Sequence, residues 1–203
     1  MIVVSSYCSV RNHQLKLNGN TLLSKEAELP FADFIKIAYD LNASSYLKFF
    51  KMDDLCKLAF VASEALLKIR NLSEQYGSEN ISLVFANKSS SLDTDIKYYK
   101  TVKEFPSPSL FVYTLPNIML GEISIRQKFK GKHAFFIFEA FQADFLCNYA
   151  TRLINDRKAK AVVLGWVELF KDEYDAFLCL AEESQSGTEL NTENLNKLYN
   201  EKY

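Results

Sequence analysis

Apolar residues along the chain fall into runs of strand length, separated by stretches with helical spacing. The strand-length runs are continuous rather than alternating, as in strands that are covered on both faces of a sheet. They occupy residues 1–10, 81–86, 132–138, 160–170 and 175–181.

Between these runs, apolar residues recur every three or four positions, which predicts helices. The predicted helices lie around residues 34–41, 53–71, 93–102, 116–129 and 139–155, with a weakly helical stretch in 188–203. The helix at 53–71 has the widest apolar face, and Asp53 or Asp54 can cap it. Gly121 lies inside a predicted helix, where glycine costs about 1 kcal/mol relative to alanine. We therefore expect close packing at Gly121.

The element order is β, α, α, β, α, α, β, α, β, β, α, which predicts a layered α/β domain. Its sheet is expected to be mostly parallel, with helices on both faces. The last strand is expected to be antiparallel, because only the short KDEYD segment separates it from the strand before. Residues 11–31 are polar and are expected to be irregular.

A strand–helix–strand unit over residues 130–169 is the centre of this arrangement. Two buried strands joined by one helix form a crossover unit with parallel strands. Such folds often place their chemistry where the first strand meets the helix, because the helix N-terminus presents free backbone N–H groups. Residues 138–142 form this junction, and their sequence FEAFQ offers no nucleophile.

Composition indicates one domain and excludes several functional classes. The 203 residues are 48% hydrophobic and carry a formal net charge of −1. There is no long basic run, so nucleic-acid binding is not expected. No stretch approaches the about 20 apolar residues of a membrane span, and no targeting segment is recognisable, so we expect a cytoplasmic protein.

The cysteines and histidines do not predict a metal site, and no cofactor is expected. Cys8, Cys56, Cys147 and Cys179 lack CxxC spacing and are interpreted as reduced, mostly buried thiols. Two histidines, His13 and His133, have no partner at metal-ligand spacing.

Four stretches together resemble the amino-terminal half of β-ketoacyl synthases, the condensing enzymes of the thiolase fold. They cover about residues 50–170 and read YLKFFKMDDLCKLAFVASEALL, ISLVFANKSSSLDTD, SPSLFVYTLPNIMLGEISIRQKFKGK and KAKAVVLGWVEL. The last stretch is similar to a family strand that ends in Gly-Gly-x-Glu, here Gly165 to Glu168. The resemblance implies a thiolase-like half domain over residues 1–182, followed by a polar tail over 183–203.

The resemblance also implies that the catalytic cysteine is absent. Counting from Gly131 places its position at Ala140, whereas aligning the apolar stripe of the helix places it at Phe141. Neither residue can be acylated. Cys147 lies nearly two helical turns further on, and neither histidine matches the family's catalytic histidines, which belong to the other half.

Two polar residues beside this position are candidates for a remaining role. Gln142 matches, with a register offset, the glutamine that chain-length-factor subunits carry in place of the cysteine; a surface glutamine is the alternative. Glu139 is interpreted as a favourable partner of the helix dipole, with a general-base role as the alternative. His133 is interpreted as structural, paired with a backbone carbonyl.

The predicted helix 139–155 is apolar nearly all round, which is typical of a helix covered on both sides. We therefore expect a partner, as a homo-oligomer or a hetero-oligomer with a ketosynthase-like chain, and a contact with an acyl carrier protein is a further option. The interface candidates lie on the strand before the helix and on the helix itself: Ala134, Phe136, Phe138, Phe145 and Tyr149.

Three functions remain open on this basis. The first is a non-catalytic, chain-length-factor-like subunit in fatty-acid, polyketide or aryl-polyene-type biosynthesis. The second is one component of a split β-ketoacyl synthase whose missing groups come from another chain. The third is an interaction module that kept the fold and lost the acyl chemistry.

Overall fold

An eight-stranded mixed sheet organises the chain, which the computed structural model describes over residues 1–42 and 45–201. The strands are β1 (Ile2–Arg11), β2 (Gln14–Leu17), β3 (Asn20–Ser24), β4 (Ile81–Asn87), β5 (His133–Ile137), β6 (Ala161–Phe170), β7 (Glu173–Glu183) and β8 (Thr188–Glu189). They lie in the order β3-β2-β1-β7-β6-β4-β5, and β8 pairs with β1.

The predicted α/β class is confirmed. Among the described residues, both parallel pairs involve β4, which lies between the two strands of the crossover unit, and the other five pairs are antiparallel. β4 pairs parallel with β5 on one side and with β6 on the other. The strand after β6 is antiparallel to it, as expected. β1 then continues the sheet in antiparallel fashion beside β7.

The expectation that residues 11–31 are irregular is wrong, because much of this segment forms β2 and β3. Two tight turns form a meander, in which β2 pairs with β1 and β3 pairs with β2. Asn12 and His13 have φ values of 48° and 56°, and Asn18 and Gly19 have φ values of 50° and 77°. Positive φ at both central residues is the geometry of two-residue hairpin turns, and Asn tolerates it better than most residues.

Helices cover both faces of the sheet. They are α1 (Phe31–Leu41), α2 (Asp54–Leu67), α3 (Leu72–Tyr76), α4 (Leu92–Val102), α5 (Pro108–Phe111), α6 (Ile118–Gln127), α7 (Ala143–Asn155) and α8 (Thr192–Tyr199). Asp53 caps α2 by accepting the backbone N–H of Cys56 at 2.9 Å. One core lies between the sheet and α1, α2 and α6, and a second core lies under α7 and α8.

α7 differs from its prediction in its start and in its surface. It begins at Ala143, four residues later than expected, because residues 138–142 form an irregular link. Asp144, Asn148 and Arg152 are exposed at four-residue spacing, so one side of the helix is polar. The expectation of a helix that is apolar nearly all round is therefore wrong.

The segment after residue 182 contributes to the second core. Leu190 is 8% exposed and Leu195 is fully buried, and both belong to the cluster that α7 covers. The last two residues of the predicted tail, 202 and 203, lie outside the described residues. At Gly121, an added Cβ would have no neighbour within 4 Å, so the expected close packing is absent there.

Candidate functional site

An open cleft of about 990 Å³ lies at the carboxyl ends of β4 and β6. This edge is where ligands usually bind in sheets with parallel strands. A row of polar residues crosses the sheet here, since Asp175 on β7 lies opposite Arg11 on β1 and opposite Glu168 on β6. Lys88 and Ser89, in the loop after β4, complete the wall beside Glu168.

Glu168 is fixed by the loop that follows β4. Its Oε2 accepts the backbone N–H groups of Lys88 at 2.6 Å and of Ser89 at 3.0 Å. Its Oε1 is buried without a hydrogen-bond partner among residues 1–42 and 45–201. This oxygen can accept a hydrogen bond from an N–H or O–H group of a ligand.

The strand–helix junction borders the same edge of the sheet, and Phe141 fills it. The Phe141 ring is stacked on Tyr199 of α8, with centroids 4.0 Å apart and an interplanar angle of 14°. It also contacts Phe177 and Trp166 edge-on, at 5.8 and 6.5 Å. Ala140, which is the other candidate position for the nucleophile, is exposed.

Glu139 and Gln142 are both exposed in this junction. Gln142 is the N-cap residue of α7, and its side chain makes no capping hydrogen bond. Asp144, rather than Glu139, is the acidic residue in the first turn of α7. Glu139 lies four residues before the helix, which is outside the range of a strong dipole interaction.

A polar cluster holds Tyr199 in place. The Tyr199 hydroxyl donates a hydrogen bond to Asp175 Oδ2 at 2.6 Å. Arg11 Nη1 donates to the backbone carbonyl of Tyr199 at 2.8 Å, and Arg11 Nε lies 3.0 Å from Asp175 Oδ1. Burial raises the pKa of Asp175, although the charge of Arg11 opposes this shift.

All four thiols are buried, and none has the character of a nucleophile. Burial, followed by the charge of Asp144, raises the pKa of Cys147 to about 12. Burial also raises the pKa values of Cys8, Cys56 and Cys179. Because the thiolate is the reactive form, these side chains are unreactive near neutral pH.

The two histidines lie at different strand ends, His13 after the carboxyl end of β1 and His133 at the amino end of β5. His13 lines the cleft, and its Nε2 donates to the Leu29 carbonyl at 2.7 Å. His133 is at the start of β5, where its Nδ1 accepts the Leu83 N–H at 3.1 Å and its Nε2 lies 2.9 Å from Ser124 Oγ. His133 thus pairs with a backbone N–H, and burial lowers the pKa of His133, although hydrogen bonds with the backbone at Lys132 and Phe129 oppose this shift.

The predicted interface residues meet where β5 and α7 adjoin. Phe136 contacts Phe145 and Tyr149 with centroids 4.6 and 5.2 Å apart, and Phe138 contacts Phe145 at 5.0 Å. These side chains and Ala134 are all half-buried. We call Phe136, Phe138, Phe145 and Tyr149 the aromatic cluster.

Sequence reasoning did not identify Glu168 and Asp175, which line the cleft, or Arg11 and Tyr199, which bind Asp175, as a site. The sequence contained a signal for Arg11, Glu168 and Asp175, because charged residues at the ends of apolar strand runs come together where those strands end. Their row also required the antiparallel pairing of β1 with β7, which the sequence did not reveal. Tyr199 comes from a helix remote in sequence, and no local pattern links it to Phe141.

Within the described ranges, no group of three or more His, Cys, Asp or Glu side chains could hold a metal ion. Over the same ranges, the helices are too short or too polar to span a membrane.

Comparison with known proteins identifies the fold. No protein-family model and no curated protein matches the chain. Solved structures do match. The ishigamide ketosynthase/chain length factor has a TM-score of 0.61 and 16% identity, over 92% of this chain and 63% of that chain.

Two further complexes have the same fold. One is AntDE:AntF, a type II polyketide synthase acyl-carrier protein with its ketosynthase bound to the hexaketide, with a TM-score of 0.60 and 14% identity over 91% of this chain and 63% of that chain. The other is the ketosynthase ApeO with its chain length factor ApeC from Xenorhabdus doucetiae, with a TM-score of 0.57 and 12% identity over 98% of this chain and 90% of that chain. The chain thus spans 63% of the first two matched chains. It has the thiolase-like fold of ketosynthases and chain length factors.

Proposed function

We propose that this chain is a non-catalytic, chain-length-factor-like subunit of a ketosynthase-type assembly. The observation that carries this proposal is the strand–helix junction, where the Phe141 ring is stacked on Tyr199 and no thiol is accessible. A condensing enzyme needs a thiolate at a helix N-terminus, where free N–H groups stabilise it. Here the candidate positions are Ala140 and Phe141.

The exposed edge of β5 is the proposed contact with a ketosynthase-like chain or a second copy. β5 is the last strand of the sheet in the described part of the chain, so one row of its backbone groups is open to pairing with another strand. Ile137 on this strand is 57% exposed, and the half-buried aromatic cluster adjoins it. An edge strand beside aromatic side chains is well suited to a dimer interface.

Exposed apolar side chains elsewhere support the same proposal. They are concentrated in residues 92–115, where Tyr99 is 67% exposed, Phe105 80% and Phe111 59%. Monomeric proteins rarely expose large apolar patches, and such surfaces usually contact another protein. The matched solved structures include a ketosynthase with its chain length factor and a ketosynthase with an acyl-carrier protein. A role in an acyl- or carrier-binding assembly of fatty-acid, polyketide or aryl-polyene-type biosynthesis follows as part of the proposal.

Intact-mass spectrometry tests the lack of catalysis. The purified chain is incubated with acyl- and malonyl-loaded carrier protein, and an active ketosynthase serves as a positive control. We expect no acyl adduct, because all four thiols are buried, and no decarboxylation, because neither His13 nor His133 matches the family's catalytic histidines. A covalent acyl adduct on this chain would overturn the proposal.

Co-expression with a ketosynthase-like chain separates a non-catalytic subunit from a component of a split synthase. In a mixed complex that condenses substrates, we expect the acyl adduct on the partner chain alone. Loss of condensation after Glu139→Gln, with assembly unchanged, would instead assign chemistry to this chain.

A further inference from the structure

Two turns at the amino ends of β5 and β6 carry a concentration of basic side chains. Residues 128–132 connect α6 to β5, and residues 156–160 connect α7 to β6. All the basic side chains in these turns are exposed, and we call them the basic edge: Lys128, Lys130, Lys132, Arg157, Lys158 and Lys160.

Backbone hydrogen bonds hold the two turns beside one another. The Lys130 N–H donates to the Ser78 carbonyl at 2.9 Å, and the Lys160 N–H donates to the Asn80 carbonyl at 2.7 Å. Residues 78–80 form the short 3₁₀ turn that leads into β4, so the two basic turns flank it. Since β5 and β6 are the two neighbours of β4, their starts lie about 10 Å apart.

Among residues 1–42 and 45–201, most cations of the basic edge have no ion-pair partner. Lys158 pairs with Asp156 at 3.0 Å. For the other five cations, no carboxylate of residues 1–42 and 45–201 lies within ion-pair distance. Counting Glu79 and Asp156 against the six cations leaves a net charge of +4, whereas the whole chain carries −1. Charges this close act together, because the Debye length is about 10 Å at 0.1 M salt.

Favourable interactions with helix dipoles explain the positions of only some of the six cations. Lys128 caps the carboxyl end of α6 and Arg157 follows that of α7, where a cation complements the helix dipole. Both residues have left-handed backbones, with φ values of 59° and 56°, which glycine adopts more easily. Lys130, Lys132 and Lys160 lie beyond the helix ends, so the dipole does not explain them.

We infer that the basic edge is a docking surface for an acidic protein segment that presents several Asp or Glu carboxylates. A nucleic acid fits less well, because the chain has a pI of about 6.2 and the two turns expose no aromatic ring for base stacking. A membrane fits less well too, because Phe129, the only large apolar residue in the turns, is 5% exposed and cannot insert.

The charge at the opposite ends of the strands makes the basic edge selective for an acidic partner. The cleft at that edge is lined by four acidic residues, Glu168, Asp172, Glu173 and Asp175, against one lysine, Lys88. The molecule is therefore basic at the amino ends of its parallel strands and acidic at their carboxyl ends. An acidic partner is attracted to one edge and repelled by the other. The inference does not rest on the proposed function, since no residue of the basic edge lines the cleft or belongs to the aromatic cluster, although Lys158 and Tyr149 line one small pocket.

Fluorescence anisotropy with a labelled synthetic helical peptide tests the inference. The probe carries glutamate at every third or fourth position, and the same peptide with glutamine is its control. The variant Lys130→Glu, Lys132→Glu, Lys160→Glu removes the central charges. The matched control, Lys25→Glu, Lys36→Glu, Lys51→Glu, changes the net charge equally at exposed lysines outside the two turns. Circular dichroism verifies that both variants are folded.

We expect the acidic peptide to bind, with an affinity that falls about tenfold between about 0.05 M and 0.5 M salt. The basic-edge variant should lose at least about tenfold in affinity, and the control variant much less. Equal binding of the glutamine peptide, or equal losses in the two variants, would overturn the inference. So would tighter binding to anionic phospholipid vesicles or to duplex DNA than to the acidic peptide.

Discussion

Phe141 lies at one of the two positions where the family resemblance places the nucleophile, and its surroundings are those of a core residue. Its ring lies between Tyr199 and the edges of Phe177 and Trp166. Aromatic pairs of this kind contribute about 0.5–1.5 kcal/mol beyond area burial. At this position Phe141 therefore stabilises the fold and has no chemical role. Its stacking depends on Tyr199, which Asp175 and Arg11 hold in place.

Two substitutions at Tyr199 separate the contribution of the stacked ring from that of the hydroxyl hydrogen bond. Tyr199→Phe keeps the stacked ring and removes the hydrogen bond to Asp175, so we expect a loss of about 1–2 kcal/mol in unfolding free energy. Tyr199→Ala removes the ring as well and should cost at least about 0.5–1.5 kcal/mol more, because the stacking on Phe141 is also lost. Urea unfolding followed by circular dichroism measures both values. Equal losses in the two variants would show that the ring contributes nothing beyond the hydroxyl.

Gly121 is expected to be a site of stabilisation. It lies within α6 and is exposed, and an added Cβ would meet no atom within 4 Å. Gly121→Ala should therefore raise the unfolding free energy by about 0.4–1 kcal/mol, because alanine restricts the unfolded chain and favours the helix. Thermal unfolding measures the change. Gly165→Ala is the contrasting control, since its Cβ would lie 1.9 Å from the Phe177 carbonyl oxygen and should destabilise the protein. A loss of stability in Gly121→Ala would contradict the expectation.

At the scale of elements, the sequence predicted the parts whose hydrophobic pattern is continuous. β4, β5 and β6 appear within one residue of their expected bounds, because buried strands need uninterrupted apolar residues. The β2–β3 hairpin escaped prediction, since its strands are short and partly exposed and its first turn, Asn12-His13, lacks glycine. The start of α7 was misplaced because Phe138 and Phe141 continue the apolar pattern through an irregular link.

A buried ion pair connects the chain just after α2 to β7. Arg70 Nη2 donates to Glu182 Oε2 at 2.9 Å, and the Glu182 side chain is 5% exposed. Burial alone would raise the pKa of Glu182, but hydrogen bonds from Arg70, Ser5 and Tyr76 outweigh it, and the pKa lies below its usual value. The pair therefore contributes stability above the unfolded-state pKa, which is lost as the pH falls through the folded-state pKa.

Arg70→Ala should leave this carboxylate buried without its cation. We expect a loss of about 3 kcal/mol in unfolding free energy at pH 7. The loss should shrink towards about pH 4, because Glu182 can then be protonated in the variant. Urea unfolding across this pH range measures both effects. Arg152→Ala is the control, since Arg152 is 83% exposed and its ion pair should contribute less than about 1 kcal/mol. A loss in Arg70→Ala that is independent of pH would contradict the linkage.

At the scale of the whole molecule, the chain buries its central helix with its own residues. α8 covers α7 through the core that contains Leu195, and polar residues occupy the outer side of α7. The surfaces open to a partner are therefore β5 and residues 92–115 rather than the outer side of α7. Sequence periodicity placed the apolar residues on α7, but it could not show that α8 would pack against them, since this contact joins segments that are distant along the chain.

Ile137 is the residue at which association can be tested with the least disturbance to the fold. It lies on the edge strand β5 and is 57% exposed, whereas Phe136 packs into the aromatic cluster. Lysine on an edge strand opposes pairing with another strand, because its charge would be buried in the interface. Ile137→Lys should therefore lower the molar mass of the assembly in size-exclusion chromatography with light scattering, at the same protein concentration and with an unchanged melting temperature.

Ile69→Lys is the matched control, because Ile69 is 91% exposed and lies outside β5. Association through β5 would be contradicted by a wild-type chain that is monomeric both alone and with a ketosynthase-like chain. It would equally be contradicted if Ile137→Lys and Ile69→Lys gave assemblies of the same mass, since the effect would then belong to added charge and not to the strand edge.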